Sequence, residues 1–393
     1  MSGLLKSPIY LDNHATTRVD PRVIEAMLPF FGEDYGNPAS RHHAFGWRAE
    51  AAVEIAREEL SAAIGARDPR EIVFTSGATE SDNLAIKGAT PEAGQVVTAA
   101  TEHPAVLETC AELARRGVAI RVLPVDSQGI VDPGEVARAI TGRTALVSIM
   151  AANSEIGVLQ PLAEIGRICR ERGVLFHSDA AQAVGKIPLD VEAMGIDLLS
   201  ISAHKLYGPK GIGALFARRR RSDGRRLQLL PQLHGGGQER GLRSGTLPVP
   251  LIVGLGRAVA LCRAEMEGEA GRLLRLRGRL WERLSGSLAG VSLNGHPERR
   301  LPGNLNLSFA GIEADALISE LRELAVSTGS ACSSETAETS HVLRALGCDE
   351  ARARSSIRIG LGRFTTAEEI EVATDALIAA VAAERSRRGG RQP

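Results

Sequence analysis

The sequence has no apolar run long enough to cross a membrane and no surplus of either charge. Its apolar stretches stay well short of the roughly 18 residues that a membrane-spanning helix needs. The 47 basic and 47 acidic residues cancel, which argues against direct binding of nucleic acid or of a membrane surface. Two arginine clusters, at 218–226 and 385–391, are interpreted as solvated surface rather than as docking sites.

Cysteines are also few and scattered. They are odd in number and lack CxxC spacing, which fits neither a disulfide framework nor a metal site. The first residues, MSGLLKSPIY, lack the charged start and the apolar stretch of a signal peptide. We therefore expect a protein of the reducing cytoplasm. The cysteines are Cys110, Cys169, Cys262, Cys332 and Cys348.

The order of the hydrophobic patterns predicts an α/β fold with two domains. Between about residues 70 and 220, β-branched runs alternate with helical-period segments, which is typical of a mostly parallel sheet, here seven-stranded, covered by helices. After a long helix to about residue 288 come a strand NLNLSF, a helix, a strand SSIRIGLG and a final helix. This part predicts a smaller α+β domain. We expect a large domain at 16–260 and a small domain made of 1–15 and 261–393.

A lysine follows one of the buried strands directly. In SAHKLYGPKGIG, at 202–213, Lys205 lies where open α/β sheets bind their ligands, at the carboxyl end of a strand. Of the five lysines it has the most apolar strand before it, and an amine that forms a Schiff base needs partial burial to lower its pKa. On this motif alone, a lysine that extends towards solvent is an equally good interpretation.

Two further strand ends supply complementary groups. FTSGATESDNLAIKGA, at 74–89, runs from a strand into a helix whose first amides, with the Thr79 hydroxyl, would bind a phosphate. VLFHSDAAQAVGK, at 174–186, places Asp179 where a carboxylate can pair with a pyridinium nitrogen. Helix capping is the alternative for both. Together, the amine, the phosphate cradle and the carboxylate predict a pyridoxal 5′-phosphate site.

Other residues are candidates for catalysis and substrate binding. His103, in TEHPAVLE, can stack on the cofactor and move protons, although a lone histidine is more often structural. Cys332 lies in STGSACSSETAETS, a polar run expected to be an exposed loop, whereas Cys169 and Cys262 lie in helical stretches and are expected in the core. Arg358, in SSIRIGLGRF, can clamp a carboxylate, with a surface ion pair as the alternative.

These motifs, with YLDNHATTRVDPRV, GNPASRHHAFG and HGGGQERGLRSGT, closely resemble those of cysteine desulfurases of the housekeeping iron–sulfur-assembly type, over about residues 9–370. That family lies in the fold-type I, class V aminotransferase superfamily. The resemblance implies removal of sulfur from L-cysteine with pyridoxal 5′-phosphate, which gives L-alanine and a persulfide on Cys332. It also implies a homodimer that passes the sulfur to an iron–sulfur scaffold protein or to another acceptor, such as a transfer-RNA thiolation relay.

The resemblance carries roles over to matching positions. The residues implied to hold the ring of the cofactor and its covalent link are Lys205, Asp179, Gln182 and His103. The residues implied to contact its phosphate, the last one across the subunit interface, are Ala78, Thr79, Ser202, His204 and Thr246. The residues implied to bind the substrate carboxylate and to carry the persulfide are Arg358 and Cys332.

The chain departs from the family pattern at two places. Ser154, in AANSEIG, stands where the family usually has the asparagine beside the cofactor and the substrate carboxylate. The shorter side chain weakens the hold on the substrate unless a water bridges the gap. The end, ERSRRGGRQP, lacks the longer tail that some members use to dock a scaffold, so the sulfur acceptor is predicted less firmly than catalysis.

Three rival functions stay open at this point. A selenocysteine lyase would use the same motifs, and an aminotransferase would not need the GSAC thiol. A non-catalytic sulfur-assembly or RNA-binding scaffold would retain the fold without its chemistry. We also expect a proton acceptor near the Cys332 loop, because a thiol with the ordinary pKa of about 8.5 is mostly protonated at pH 7.

Overall fold

A computed structural model of the chain describes residues 8–221, 223–328 and 339–389. The strands within these residues are β1 Ile9–Tyr10, β2 Ile72–Thr75, β3 Gln95–Ala99, β4 Ala119–Leu123, β5 Thr144–Ser148, β6 Leu175–Asp179, β7 Leu198–Ser202, β8 Gly213–Ala217, β9 Val291–Leu293, β10 Asn304–Phe309, β11 Leu324–Ala325 and β12 Ser356–Gly360.

The helices of the same residues surround these strands. They are α1 Pro21–Met27, α2 Pro29–Gly32, α3 Ala44–Ala63, α4 Ala78–Ala89, α5 Pro104–Arg115, α6 Pro133–Ala139, α7 Leu162–Arg172, α8 Val249–Ser287, α9 Ala314–Glu320, α10 His341–Ala345, α11 Glu350–Arg354 and α12 Ala367–Gly389. At the start of α12, Thr366 and Glu369 form the reciprocal capping box that their spacing predicts. None of the helices described is both long and apolar enough to span a bilayer.

The main sheet has the predicted seven strands, in the order β2-β8-β7-β6-β5-β3-β4. Only β8 runs antiparallel to its neighbours, β2 and β7, and the other pairs are parallel. Strands β6, β7 and β8 are buried along their whole length, because helices cover both faces of the sheet. The α/β prediction is confirmed, and the carboxyl ends of β3, β5, β6 and β7 meet at one edge.

A second, antiparallel sheet lies in the order β12-β10-β9, and β1 pairs with β11 beside it. The long helix α8 joins the two parts of the molecule. Its first half packs residues such as Ile252 and Val259 into the core of the main sheet, whereas Leu273 to Leu284 belong to the core of the second sheet. This division supports the predicted domain boundary near residue 260, which stays a prediction.

The first arginine cluster is largely neutralised by acidic neighbours. Arg218 pairs with Glu192 and, at 3.3 Å, with Asp197, and its side chain is only 10% exposed. Arg219 pairs with Asp68 at 2.7 Å. The predicted solvated surface is therefore wrong for Arg218, whose side chain is largely buried and donates to the carbonyls of Val191 and Ile196.

A buried ion pair fixes the segment between β8 and α8 to the main sheet. The two terminal nitrogens of Arg57 donate to the Glu239 carboxylate at 2.9 and 2.8 Å, and that carboxylate also accepts from the Phe74 amide at 2.8 Å. The side chains of the pair are 3% and 2% exposed. Removal of one partner therefore leaves a buried charge without compensation.

Replacement of Glu239 by Gln should lower the free energy of unfolding by about 3–5 kcal/mol, since Arg57 loses its buried counter-charge. Urea denaturation measures the change. The control is Glu54→Gln, because Glu54 is the 50%-exposed partner of the same arginine and its loss should cost less than about 1 kcal/mol. Equal stability of the two variants would contradict a stabilising role for the buried pair.

Candidate active site

The site lies where the parallel strands of the main sheet end. Asp179 is the last residue of β6, and Ser202 is the last residue of the neighbouring strand β7. A short 3-10 turn, Ala203–Lys205, follows β7 directly. His103 begins helix α5 after β3. The topology thus brings these predicted residues to one edge of the sheet, as their strand-end positions indicate.

The amine of Lys205 points at the backbone of the N-terminal segment. Its Nζ donates to the carbonyl oxygens of His14 and Ala15 at 2.7 Å each. The alternative interpretation of the motif, in which Lys205 extends towards solvent, is therefore wrong. The two acceptors fix the position of the amine at the end of β7.

Asp179 lies in a cluster of buried carboxyl groups. It is 7% exposed, and its Oδ1 accepts from the Ala181 amide at 2.9 Å. Burial raises the pKa of Asp179, an effect that His103 and Lys205 oppose. Burial also raises the pKa of Asp82 and of Glu102 well above the ordinary range, and the charge of Asp179 adds to both shifts. The cluster therefore favours a cation beside Asp179, such as a protonated ring nitrogen.

The start of α4 offers unpaired backbone amides. Gly77 precedes the helix and provides no capping side chain, and Ala78 and Thr79 are its first residues, so their N–H groups have no partner within the helix. Open space lies beside Gly77, because a Cβ built there would meet no atom within 4 Å. This geometry fits an anion such as a phosphate.

His204 and Ser202 lie on the strand side of the same edge. The ring Nδ1 of His204 lies 3.1 Å from the Thr16 hydroxyl, and Ser202 is buried at the end of β7. Burial, with the charge of Lys205, lowers the pKa of His204 to about 4. The imidazole is therefore neutral at pH 7 and can act as a hydrogen-bond donor or acceptor, but it carries no charge.

Gln182 belongs to a hydrogen-bonded network that the sequence did not reveal. Its amide nitrogen donates to the His14 carbonyl at 2.8 Å, and its oxygen accepts from Lys186 at 2.9 Å and lies 3.2 Å from His14 Nδ1. Because Lys186 donates to this atom, it must be the amide oxygen, and the other atom of the Gln182 amide is the nitrogen that donates. Both partners lie inside motifs already singled out, YLDNHATTR and HSDAAQAVGK, but nothing in their spacing indicates contact.

Arg358 lies in a buried ion pair. It is 3% exposed, and its Nη2 donates to Asp12 at 2.8 Å while Nη1 donates to the Ser154 carbonyl at 3.2 Å. The Nε atom is buried without a partner among the described residues. The alternative of a surface ion pair is therefore wrong, and the guanidinium retains a donor for a further acceptor.

The asparagine beside Ser154 does not replace the missing amide of the family pattern. The Asn153 nitrogen donates to the Thr101 carbonyl at 3.0 Å, and its oxygen accepts from the amides of Glu155 and Ile156 at 2.8 and 2.9 Å. All of this side chain is engaged in shaping the turn. Ser154 itself contributes its backbone carbonyl to Arg358.

Two histidines lie close together at the edge. His103 caps α5, with Nδ1 accepting from the Ala105 amide at 3.1 Å, and burial lowers its pKa. His341, at the start of α10, lies 3.0 Å through Nε2 from the carbonyl of Glu102. His341 follows a polar run and belongs to no motif of its own, so the sequence gives no local signal for it.

The predicted nucleophile, Cys332, lies outside the described residues. Three other cysteines are buried, and burial raises the pKa of Cys110 and Cys169 to about 12 and of Cys262 to about 11. Burial also raises the pKa of Cys348. Each of these thiols is a poor nucleophile near pH 7. Thr246 is exposed on the segment before α8.

Replacement of Lys186 by Met should make stability less dependent on pH. Burial lowers the pKa of Lys186 to about 7, against about 10.4 in an unfolded chain. Between these values only the unfolded state binds the proton, so stability rises with pH. The variant should melt at a higher temperature than the unmodified protein at pH 6, and this advantage should shrink towards pH 10.

Differential scanning fluorimetry across this range makes the measurement, with Lys210→Met as the control because Lys210 is exposed. For Lys210→Met, the difference in melting temperature from the unmodified protein should not change with pH. A difference in melting temperature between Lys186→Met and the unmodified protein that stays constant with pH would contradict the effect of burial on the pKa of Lys186.

The chain is similar over most of its length to known proteins. Residues 9–372 match the family model described as aminotransferase class-V. Cysteine desulfurase IscS of Anaeromyxobacter dehalogenans (strain 2CP-C) is 55% identical, over 94% of this chain and 91% of its own. The cysteine desulfurase of Pongo abelii is 52% identical, over 96% of this chain and 82% of its own. A solved structure described as a NifS-like protein superposes with a TM-score of 0.88 at 39% identity, over 95% of this chain and 99% of its own.

Proposed function

The chain belongs to the aminotransferase class-V family, and from this premise we propose that it is a cysteine desulfurase. It uses pyridoxal 5′-phosphate to take the sulfur of L-cysteine onto Cys332 and releases L-alanine. The observation that carries the proposal is that Lys205 and Asp179 lie at one edge of the main sheet and that Arg358, from β12, donates to the Ser154 carbonyl on the turn after β5 at the same edge. An amine, a buried carboxylate and a guanidinium together suit an amino-acid substrate.

The residues at the edge fit the cofactor group by group. Asp179 would pair with the ring nitrogen, the first amides of α4 with Ser202 and His204 would hold the phosphate, and Gln182 would donate to the phenolic oxygen. Lys205 would carry the covalent link. When bound, pyridoxal phosphate supplies the electron sink that stabilises negative charge on the α-carbon of the substrate.

Arg358 binds the substrate carboxylate and so fixes the orientation of the α-carbon. Its guanidinium is held by Asp12 and by the Ser154 carbonyl, and its Nε remains as a buried donor. A guanidinium can engage a carboxylate through two parallel hydrogen bonds. With the carboxylate fixed, the Lys205 amine takes the α-proton.

Sulfur transfer then requires a thiolate near the substrate. The Cys332 thiolate bonds to the substrate sulfur while the carbon–sulfur bond breaks, and the electron pair of that bond stays with the β-carbon. The β-carbon takes one proton and becomes the methyl group of alanine. The Cys332 thiol loses one proton and the β-carbon gains one, while the proton of the substrate thiol stays on the outer sulfur of the persulfide. The α-carbon regains the proton that Lys205 removed, so atoms and electrons balance. The thiols of Cys110, Cys169 and Cys262 are buried, which supports Cys332 as the nucleophile.

The Cys332→Ala variant should retain the yellow cofactor and lose sulfide release with dithiothreitol, because the sulfur has no thiol to receive it. Absorbance near the visible cofactor band and separate assays of alanine and sulfide make the measurement. Cys348→Ala is the control and should release sulfide at the unmodified rate. Lys205→Ala should lose the covalent band.

Three outcomes would contradict the proposal. An unmodified protein that binds no cofactor is not this enzyme, and one that binds it but yields no alanine from cysteine belongs to the lyase or aminotransferase alternatives. Sulfide release by Cys332→Ala at the unmodified rate would remove the assigned nucleophile.

We further infer a homodimer that passes its sulfur to an iron–sulfur scaffold protein or another thiol acceptor. Large aromatic side chains are exposed between residues 31 and 47, with Phe31 63%, Tyr35 67% and Trp47 55% exposed. Such a surface is typical of a protein interface. In the dimer, Thr246 would reach the phosphate of the neighbouring subunit. We place the enzyme in the cytoplasm, since its chemistry needs reduced thiols.

The double variant Phe31→Arg/Trp47→Arg should be a monomer, because charge replaces the apolar surface that would be buried. Light scattering coupled to size exclusion should give twice the chain mass for the unmodified protein and the single mass for the variant. Leu274→Arg is the control, since Leu274 is 44% exposed on α8 and should leave the dimer intact. A dimeric double variant would place the interface elsewhere.

A further inference from the structure

Lys186 lies on the segment that follows β6, four residues beyond Gln182. Its Nζ donates to the Gln182 oxygen at 2.9 Å, and no carboxylate in the described parts of the chain forms an ion pair with it. The side chain is only partly exposed, and burial lowers its pKa to about 7. An ammonium held away from water without a counter-charge lowers stability, so Lys186 is better explained by a role at the site than by a contribution to folding.

The side-chain amide of Gln182 has one hydrogen left for a further acceptor. The residue is 4% exposed. Its oxygen has two lone pairs, which meet Lys186 Nζ at 2.9 Å and His14 Nδ1 at 3.2 Å. Its nitrogen has two hydrogens, and the contacts to described residues use one of them, which is donated to the His14 carbonyl at 2.8 Å. The acceptor side of the amide is therefore full, whereas its donor side is half used.

The His14 carbonyl connects this amide to Lys205. The carbonyl oxygen accepts from Gln182 Nε2 at 2.8 Å and from Lys205 Nζ at 2.7 Å, so the amide nitrogen and the amine lie around one atom. In pyridoxal phosphate the phenolic oxygen is the ring substituent next to the carbon that forms the link to an amine. An amide beside Lys205 is therefore well placed to donate its unused hydrogen to that oxygen.

A donor at the oxygen of an amide makes the N–H groups of that amide stronger donors. Hydrogen bonds that share a polar group polarise one another, and the effect is larger where the donor is an ammonium. We propose that Lys186 is a positioning residue that strengthens the hydrogen bond from Gln182 to the phenolic oxygen of the cofactor. The inference rests on the proposed function and deepens it, because it identifies the group that acts on the cofactor through Gln182.

The neighbours that act on the charge of Lys186 come from the turn after β7, from β12 and from α8. They are Lys205, Arg358, Cys262 and Glu269. His14 and Tyr207 line the same cavity as Lys186, but burial lowers the pKa of His14 and raises that of Tyr207, so both are neutral at pH 7. The positive charge of Lys186, and with it the polarisation of the Gln182 amide, should therefore decrease as pH rises through about 7.

The first test is the pH titration of the visible cofactor band in Lys186→Met. The proton that changes this band is shared between the link nitrogen and the phenolic oxygen, so a donor at that oxygen lowers the affinity for the proton. Loss of Lys186 should therefore raise the midpoint of the titration by about half a unit to one unit, the effect of one hydrogen bond. Lys87→Met is the control, because Lys87 carries the same charge in the last turn of α4, and it should leave the midpoint unchanged.

A double-mutant cycle shows whether Lys186 acts through Gln182. The Gln182→Leu variant should also raise the midpoint, since it removes the donor itself. Lys186→Met should then have no further effect in the Gln182→Leu protein, because the amide that it polarises is gone. A purely structural or long-range electrostatic role of Lys186 would instead give effects that add.

A measurement on the full chain before cofactor is added tests the contact with Lys186 unaltered, and so also covers the case in which Lys186→Met does not fold. The side-chain amide signal of Gln182 in nitrogen-15 spectra is identified by its absence from Gln182→Leu. This signal should shift with pH around a midpoint of about 7, as Lys186 loses its proton. The same shift should persist in Lys87→Met.

Three results would contradict the inference. They are an unchanged midpoint of the cofactor band in folded Lys186→Met, full additivity in the double variant, and a Gln182 signal that does not respond to pH near 7. Failure of the proposed function is distinct, since the unmodified protein would then form no visible band or release no alanine and sulfide from L-cysteine, whereas the Gln182 signal would still titrate.

Discussion

The N-terminal segment 12–17 is the constraint on which the site depends. It passes between the two sheets, and hydrogen bonds fix its backbone to β12 on one side and to the turn after β7 on the other. Its carbonyl groups receive the Lys205 amine, His14 holds Gln182, and Asp12 pairs with Arg358. The residues proposed to hold the cofactor and the arginine proposed to bind the substrate carboxylate are therefore connected through a single stretch of chain. Hydrogen bonds with a charged donor are stronger than neutral ones, so these contacts are well suited to the task.

Buried carboxyl groups are prominent on the side where the cofactor is proposed to bind. Burial raises the pKa of Asp82, Glu102 and Asp179, and it lowers the pKa of His177 to about 3, so that the ring is neutral and lies between Ser148 and Ser200 at 2.8 and 3.0 Å. A carboxyl group with a raised pKa keeps its proton in the folded state after the unfolded chain has lost it, so stability falls as pH rises through that window. A protonated ring nitrogen beside Asp179 removes part of this cost. Cofactor binding and folding stability are thus coupled through the same carboxylate.

The fold and the residues at strand ends could be predicted from the sequence. Contacts between residues that meet only in three dimensions could not. Asp179 and Lys205 each follow a buried run, and the carboxyl ends of parallel strands necessarily share an edge. The contact between Asp12 and Arg358 joins residues 346 positions apart, and that between His14 and Gln182 spans 168, so no local pattern contains them. The resemblance to a family supplied roles for matching positions, but it gave no role to Lys186 or His341. Their importance depends on which atoms they contact.

In the proposed site, Ser154 in place of the asparagine of the family pattern leaves most of the substrate binding to Arg358. Asn153 is committed to the turn, and Ser154 offers Arg358 a carbonyl rather than offering the substrate an amide. A carboxylate that reaches the guanidinium therefore meets an ion that already has a counter-charge in Asp12. The gain in Coulomb energy is smaller than for an unpaired arginine, whereas the cost of keeping that arginine buried is also smaller. In the proposed role, the pair with Asp12 keeps the guanidinium positioned between turnovers. The Nε donor, which has no partner among the described residues, is then the group that gains most when a carboxylate arrives, because a buried donor left unsatisfied carries the full desolvation penalty.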